Sequence, residues 1–361
     1  MTIRIANPTM SDEAKDRVEA VLDSGMLADG PEVREFEDEF ANYCGVEHGV
    51  ATANGTAALH AALEALGIGK GDTVLTTPFS FVATANTVRF TGAEPVFADI
   101  DPETYNIDPE AAATTAREHD VDAIMPVHLY GLPADMDSIC ELADELNVPV
   151  IEDAAQAHGA TYDGDRVGAL GDVACFSFYP TKNMTTGEGG MIVTDCDGVA
   201  EAAAQFVNHG RTESYDHTTL GHNFRMTSMA AAIGRVQLDQ LPEFIKTRRS
   251  NASKLTNSLA ETSVVTPTEP ESIRHVYHQY TIRTNDRNSL QDHLDDHGIG
   301  NGVYYPKCIH NQPVYEDIEV TAPEAELAAT EVLSLPVHPS LSDDDVDRII
   351  EVIQDYDTKQ D

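Results

Sequence analysis

The chain is poor in positive charge and shows no apolar segment of the kind a membrane or secreted protein carries. Basic residues number 22 against 62 acidic ones, a formal net charge of −40. Phosphate contacts need a basic face, so nucleic-acid binding is disfavoured. The acids are scattered over the whole length rather than gathered in a tail. That pattern reads as an acidic solvated shell of the kind halophiles carry. No run of about 18 apolar residues occurs, so no transmembrane helix is expected. The opening MTIRIANPTMSDEAKDR has no apolar core of a secretory signal, which makes the cytoplasm the expected location. The five cysteines, Cys44, Cys140, Cys175, Cys196 and Cys308, are widely spread with no CxxC pair. This argues against a disulfide framework or a zinc knuckle, and each reads as a small buried apolar residue.

Several nucleotide and metal motifs are also missing. No GxGxxG follows a strand pattern, and GIGKGD at 67–72 fits no Walker loop and reads as a tight turn. A nicotinamide or ATP enzyme is therefore disfavoured. His293 and His297 lie four apart on an expected helix. Without an HExxH pattern they read as solvated histidines, and no metal is assigned. No internal repeat or low-complexity tract is present.

What the sequence does contain is a βα rhythm. Short apolar runs at 50–52, 73–77, 95–98, 123–127, 148–151, 173–178 and 190–194 read as strands. Helical spacing marks 56–66, 82–90, 136–146 and 199–207 between them, after helices at 11–23 and 31–43. Such alternation predicts an α/β fold with a mostly parallel sheet between helices. The stretch 228–259 reads as one long helical segment with a kink or break at Pro242. Its basic cluster Lys246, Arg248, Arg249 and Lys254 reads as a solvated helix face balancing nearby acids, with a phosphate contact as the alternative. Beyond it, 276–283 reads as a half-exposed strand, 290–297 as a helix and 301–305 as a strand. Ser342 and Asp345 suggest the start of a last helix, with Val346, Ile349, Ile350 and Ile353 on one face. At roughly 150 residues per domain, the 361 residues divide into a large domain over 1–239 and a small α+β domain over 240–361.

The chemistry concentrates between 148 and 190. Glu152 and Asp153 stand at the carboxyl end of a strand, where open α/β sheets place their ligands. Lys182 follows a second strand and neighbours Gly187, Gly189 and Gly190. An acid at one strand end and a lysine just past another are what a pyridoxal-phosphate site requires. The lysine amine condenses with the cofactor aldehyde, and the carboxylate keeps the pyridine nitrogen protonated so that the ring can accept electrons. Partial desolvation would lower the Lys182 pKa. Ala154 and Ala155 allow a flat ring to lie close, and Gln156 could bond its phenolic oxygen. Gly55 and Thr56 open a helix whose free N–H groups suit a phosphate; a plain helix cap is the competing reading. Ser177 faces away from Phe176 and Phe178, either as a second phosphate ligand or as a satisfied buried hydroxyl.

The segments TANGTAALHAAL, FSFVATANTV, PVHLYG, IEDAAQAHGA, CFSFYPTKNMTTGEGGMIVT, GHNFRMTSMAAAIGRVQL and LSLPVHPSL resemble, in order, successive motifs of the DegT-type sugar aminotransferases, which are fold-type I pyridoxal-phosphate enzymes. The likeness runs from about residue 5 to 355. It implies an aspartate-aminotransferase-like large domain with a small C-terminal one. It implies that Lys182 carries the cofactor and moves the proton, that Asp153 holds the pyridine nitrogen and Gln156 the ring oxygen, and that Gly55, Thr56 and Ser177 hold the phosphate. Phe81 would stack on the ring, where a core aromatic is the plain alternative. Asn223, otherwise a turn residue, would reach the phosphate of the neighbouring subunit's cofactor, which implies a homodimer with shared sites. Tyr179, Tyr304 and Tyr305 match positions lining a sugar pocket, although the Tyr-Tyr pair stands where similar enzymes often have His-Tyr. Arg225 and Lys307 could meet a diphosphate or a donor carboxylate, with surface ion pairing as the alternative. The implied reaction moves an amino group from an amino acid, by analogy glutamate, to a nucleotide-linked keto sugar, as polysaccharide biosynthesis uses. Competing readings are amination of a keto-inositol or another cyclic ketone, a dehydratase whose relatives carry histidine in place of the lysine, and a non-catalytic ligand-binding relative with a damaged site.

Overall fold

The computed structural model describes residues 2–212 and 215–358. Two helices, α1 (Asp12–Ser24) and α2 (Pro31–Cys44), precede the first strand, β1 (His48–Thr52). Ser11 caps α1 by accepting from the Ala14 N–H, and Gly25 closes it in the left-handed region at φ 71°. Then follow α3 (Gly55–Ala65), β2 (Thr73–Thr76), α4 (Ala83–Thr91), β3 (Glu94–Phe97), α5 (Pro109–Glu118), β4 (Ala123–Ile124), α6 (Met136–Leu146) and β5 (Ile151–Asp153). A short ribbon, β6 (Thr161–Tyr162) and β7 (Asp165–Arg166), leads to β8 (Val173–Ser177), β9 (Gly190–Thr194) and α7 (Asp197–Val207).

The strands β3, β2 and β4 pair in parallel. Parallel bridges Ile124–Val150 and Val127–Asp153 continue this sheet to β5, which pairs in parallel with β8. Only β9 runs against its neighbours, β8 and β1. The mostly parallel sheet read from the βα rhythm is therefore present. Side chains alternate across it. Ala174, Phe176 and Phe178 point into one buried cluster with Phe36 and Phe40, while Val173 and Cys175 point into another with Leu59 and Leu63.

The chain then enters α8 (Ser228–Leu259), 32 residues long. Of the kink or break expected at Pro242, no break occurs. The proline sits on the exposed side, and the surrounding Leu238, Leu241 and Ile245 are buried. Their packing holds the helix through the missing N–H bond. Arg248 departs from the expected solvated face. It lies on the buried stripe and donates from Nη1 to the carbonyls of Tyr277 (3.1 Å) and His278 (3.3 Å).

After β10 (Ile273–Arg274), which pairs with β6, come β11 (Tyr280–Arg283), α9 (Arg287–Asp296), α10 (Pro323–Glu331), β12 (Val332–Leu335) and α11 (Asp343–Thr358). β11 and β12 pair antiparallel. The half-exposed strand expected at 276–283 is buried along most of its length, and only its second half is strand. The strand expected at 301–305 reduces to one bridge, Gly302 to Ser334. Ser342 starts α11 as expected: Asp345 N donates to Ser342 Oγ, and Ser342 N donates to Asp345 Oδ2. Val346, Ile349, Ile350 and Ile353 are buried against α8, β11 and β12, in a cluster that also takes in Ile3. Each contributes about 1.5–3 kcal/mol of burial. The division expected at 239/240 falls inside the continuous α8. Cys44, Cys175 and Cys308 are buried and Cys140 half-buried, but Cys196 is exposed at the start of α7, contrary to its expected burial. Among the described residues no helix is long and apolar enough to cross a membrane.

Candidate active site

The carboxyl ends of the parallel strands open into a cleft of about 1020 Å³. Asp153 is the last residue of β5, and Lys182 lies in the turn between β8 and β9. Both line this cleft, as do Gly55, Thr56, Phe81, Gln156, Ser177, Tyr179, Tyr304 and Tyr305. Ten of the expected residues, from five separate segments of the chain, thus meet at one place.

Asp153 is 4% exposed. Thr84 Oγ1 donates to its Oδ2 at 2.8 Å, and the Ala155 N–H donates to its Oδ1 at 3.3 Å. Burial raises its pKa, while these two donors and the Lys182 charge act in the opposite direction. Burial also brings the Lys182 amine down to about 8, opposed by the Asp153 carboxylate. Burial thus pushes both groups toward their uncharged forms. A cationic ring nitrogen beside Asp153 would supply the countercharge that this buried carboxylate otherwise lacks at close range.

Gln156 is held from behind, since the Tyr130 N–H donates to its Oε1 at 2.8 Å. Its Nε2 donates toward the Tyr305 hydroxyl at 3.3 Å. The group it turns to the cleft is thus a donor, which suits a phenolate oxygen. On the other wall, Asn54 caps α3 by accepting from the Ala57 N–H. The first amides of a helix have no partner within it, so Gly55 and Thr56 present theirs at the open end. A Cβ on Gly55 would lie 2.7 Å from the Ser177 Cβ, and one on Gly190 would lie 2.6 Å from the Asn54 carbonyl carbon. Two strand ends and a helix start therefore converge closely enough that only glycine fits. This leaves a cradle of backbone amides and hydroxyls of the kind that holds a phosphate. Phe81, 56% exposed, presents its ring 6.1 Å from that of Tyr305. The lysine, the buried acid, the donor amide, the phosphate cradle and the flat ring together fit pyridoxal phosphate.

Three expected residues stand elsewhere. Asn223 is exposed and forms a backbone bridge with Asn208. Arg225 donates from Nη1 to the Asn208 side-chain oxygen at 2.6 Å and lines a different cleft, with Glu37 and Arg211. Lys307 is exposed and outside the active cleft. Among the described residues lining the active cleft, Lys182 is the sole lysine or arginine.

Sequence reasoning missed Thr84, His278 and His158. Thr84 lies one helical turn past Phe81 in α4, yet 69 residues from the acid it holds, so no local pattern marks it. His278 lines the cleft and is buried. Burial holds it well below the usual histidine range, and the Lys182 charge acts in the same direction. His158 packs against Phe176 and Phe178, with ring centroids 5.3 and 5.6 Å away. Burial takes its pKa to about 3. Both imidazoles are neutral at ordinary pH. Two histidines flanking the IEDAAQ and YTIR segments were the available signal.

An α/β scaffold with a desolvated lysine and a buried carboxylate at the carboxyl side of its sheet defines a lysine-dependent group-transfer enzyme. Residues 8–354 match the model of the DegT/DnrJ/EryC1/StrS aminotransferase family, and the chain belongs to that family. It is 44% identical to the "Pleiotropic regulatory protein" of Geobacillus stearothermophilus, across 96% of this chain and 95% of that one. It is 42% identical to the UDP-2-acetamido-2-deoxy-3-oxo-D-glucuronate aminotransferase of Pseudomonas aeruginosa, across 91% of this chain and 92% of that one. Among solved structures it matches the "Putative sugar aminotransferase Spr1654" of Streptococcus pneumoniae in its PLP form, with TM-score 0.94, 26% identity, and coverage of 99% of this chain and 99% of that one. The same protein in its PMP form gives a TM-score of 0.95.

Proposed function

We propose that this aminotransferase uses pyridoxal phosphate to move an amino group from an amino acid, by analogy glutamate, onto a keto sugar carried by a nucleotide. The observation that carries this reading is the meeting of Lys182 and Asp153 in one cleft with the Gly55–Ser177 cradle. When bound, the cofactor supplies the electron sink that lets an amine be exchanged for a carbonyl. The chain does the rest. Gly55, Thr56 and Ser177 hold the phosphate. Asp153, fixed by Thr84, keeps a proton on the ring nitrogen, and Gln156 Nε2 donates to the ring oxygen. Lys182 Nζ, with a pKa near 8, accepts the proton from the donor α-carbon and later returns one to the sugar carbon. Phe81 covers the ring face, and Tyr179, Tyr304 and Tyr305 form the wall where the sugar lies.

The incoming groups carry several negative charges, and the cleft wall holds one cation. This supports a homodimer in which Asn223 and Arg225, outside their own chain's cleft, serve the neighbour's. We keep the division near 239/240 and a cytoplasmic location as part of the same reading. The curated relative named a regulatory protein raises the non-catalytic alternative, but an intact Lys182, Asp153 and cradle favours catalysis.

The test is a panel of nucleotide-linked keto sugars with glutamate, following 2-oxoglutarate and the mass of the aminated product. Product is expected with wild type. Lys182→Ala should lose turnover by 10²–10⁴-fold or more together with the visible absorbance of the lysine-bound cofactor. Equal turnover in the variant, or no product from any sugar while keto-inositols are aminated, sinks the reading.

A further inference from the structure

The histidine pair set aside in the sequence gains a third partner in the fold. His293 lies in α9 and His297 is its C-cap, four residues apart and so on one face. Their ring centroids are 4.3 Å apart. α11 brings Asp355 across, with Oδ2 3.9 Å from His293 Nε2. One ligand atom from each of the three lies within 4.8 Å of the others. That distance is long for a hydrogen bond but short enough for a shared ion. Two ligands on a tetrahedral ion with bonds of about 2.1 Å sit roughly 3.4 Å apart, a shift that side-chain rotation can supply.

The histidine tautomers bear on this. His297 Nδ1 lies 2.7 Å from the His293 carbonyl oxygen. A carbonyl only accepts, so Nδ1 carries the proton and Nε2 keeps its lone pair. A backbone-anchored ring of this kind is what metal sites use to aim a histidine. His293 Nε2 lies 3.2 Å from the Val352 carbonyl and donates to it when no metal is present. Metal entry moves that proton to Nδ1 and turns the Nε2 lone pair toward Asp355.

We propose that His293, His297 and Asp355 bind one borderline divalent cation (zinc, cobalt or nickel), with water completing the shell, and so pin α9 to α11. Two imidazoles and one carboxylate select such ions over calcium or magnesium, which prefer all-oxygen shells. None of the three residues lines the catalytic cleft, so the ion acts on stability and not on turnover. A second cluster, Glu47, His48 and Asp197, is the natural control. It has a single histidine, whose Nε2 is already paired with Asp197 at 2.7 Å.

The experiment uses tag-free holoenzyme stripped with chelator and titrated with cobalt(II), then zinc(II). One ion per chain is expected, with cobalt d–d absorption and a higher unfolding temperature. His297→Gln and Asp355→Asn should each weaken binding at least about tenfold and remove the thermal shift, with turnover unchanged. His48→Gln should bind as wild type does. An ion retained equally by His297→Gln, an ion lost in His48→Gln, or no saturable binding below about 1 mM overturns the proposal. An ion held by the cofactor would survive all three substitutions and so counts against it.

Discussion

Two carboxylates sit side by side on β5 and live in opposite surroundings. Glu152 points away from the cleft and is saturated. Its Oε1 accepts from the Leu170 and Gly171 amides, both at 2.9 Å, and its Oε2 accepts from the Gly168 amide and faces His128 Nε2, both at 3.0 Å. The Ala134 N–H donates to His128 Nδ1, so that ring carries its proton on Nε2 and donates it to Glu152. Asp153, one residue on, has among the described residues only the Thr84 hydroxyl and the Ala155 amide as donors and opens onto a ligand-sized cleft. The difference teaches how to separate a structural acid from a chemical one. A buried carboxylate with every lone pair used holds a loop in place, whereas one with capacity to spare facing the same cleft as a half-buried lysine awaits a partner.

The sharpest way to break that comparison is to neutralise each acid in turn. Asp153→Asn should cut turnover by about 10²–10³-fold and weaken cofactor retention while leaving the denaturation midpoint close to wild type. Glu152→Gln should do the reverse. It leaves amide donors facing a new NH₂ group and should cost about 3–5 kcal/mol of stability, read by urea unfolding, with normal turnover per folded molecule. If Glu152→Gln inactivates a fully stable protein, the division of labour is wrong.

The lysine opposite Asp153 gives a pH test of intermediate size. Its amine is held near 8 against an ordinary 10.5. Below about pH 8 it is protonated and cannot attack an aldehyde, so the rate at which the cofactor-free chain captures pyridoxal phosphate should rise about tenfold per unit up to that point and then level off. Between 8 and 10.5 the unfolded chain holds a proton that the folded one has released, so the stability of the cofactor-free protein gains with pH in that window. A capture profile still climbing toward 10.5 would show that the lysine is not desolvated. The smallest effect is expected from Thr84→Val. It removes one donor to Asp153, worth about 1 kcal/mol, so cofactor affinity should fall roughly fivefold by titration with the fold intact.

Local chemistry made much of this readable in advance. α6 spans the expected 136–146 because its apolar spacing is clean and it is capped by Asp135 and by Asn147 in the left-handed region. α5 had no expected counterpart. Its buried residues are only Ala112 and Ala116, too small to stand out as an apolar stripe. The 301–305 segment looked like a strand because Val303, Tyr304 and Tyr305 are β-formers, yet the tyrosines turn to the cleft and one bridge is all the pairing that survives. In the site, Asp153 and Lys182 could be picked out because one ends a strand and the other follows one within a few residues. Thr84, His158 and His278 could not, since their roles depend on which distant segments touch. Asn223 and Arg225 remain assigned by resemblance, because a single chain does not bring them to its own cleft.

The unbroken α8 has one more implication. Its first half is buried with the sheet-side cluster through Ala231, Leu238, Leu241 and Ile245, and its second half with the C-terminal cluster through Ala252, Leu255 and Leu259. Neither cluster can melt without fraying a helix that the other still needs, and Ile3, from the opposite end of the chain, is stitched into the second. Heat or denaturant should therefore take the protein apart in a single cooperative step rather than two.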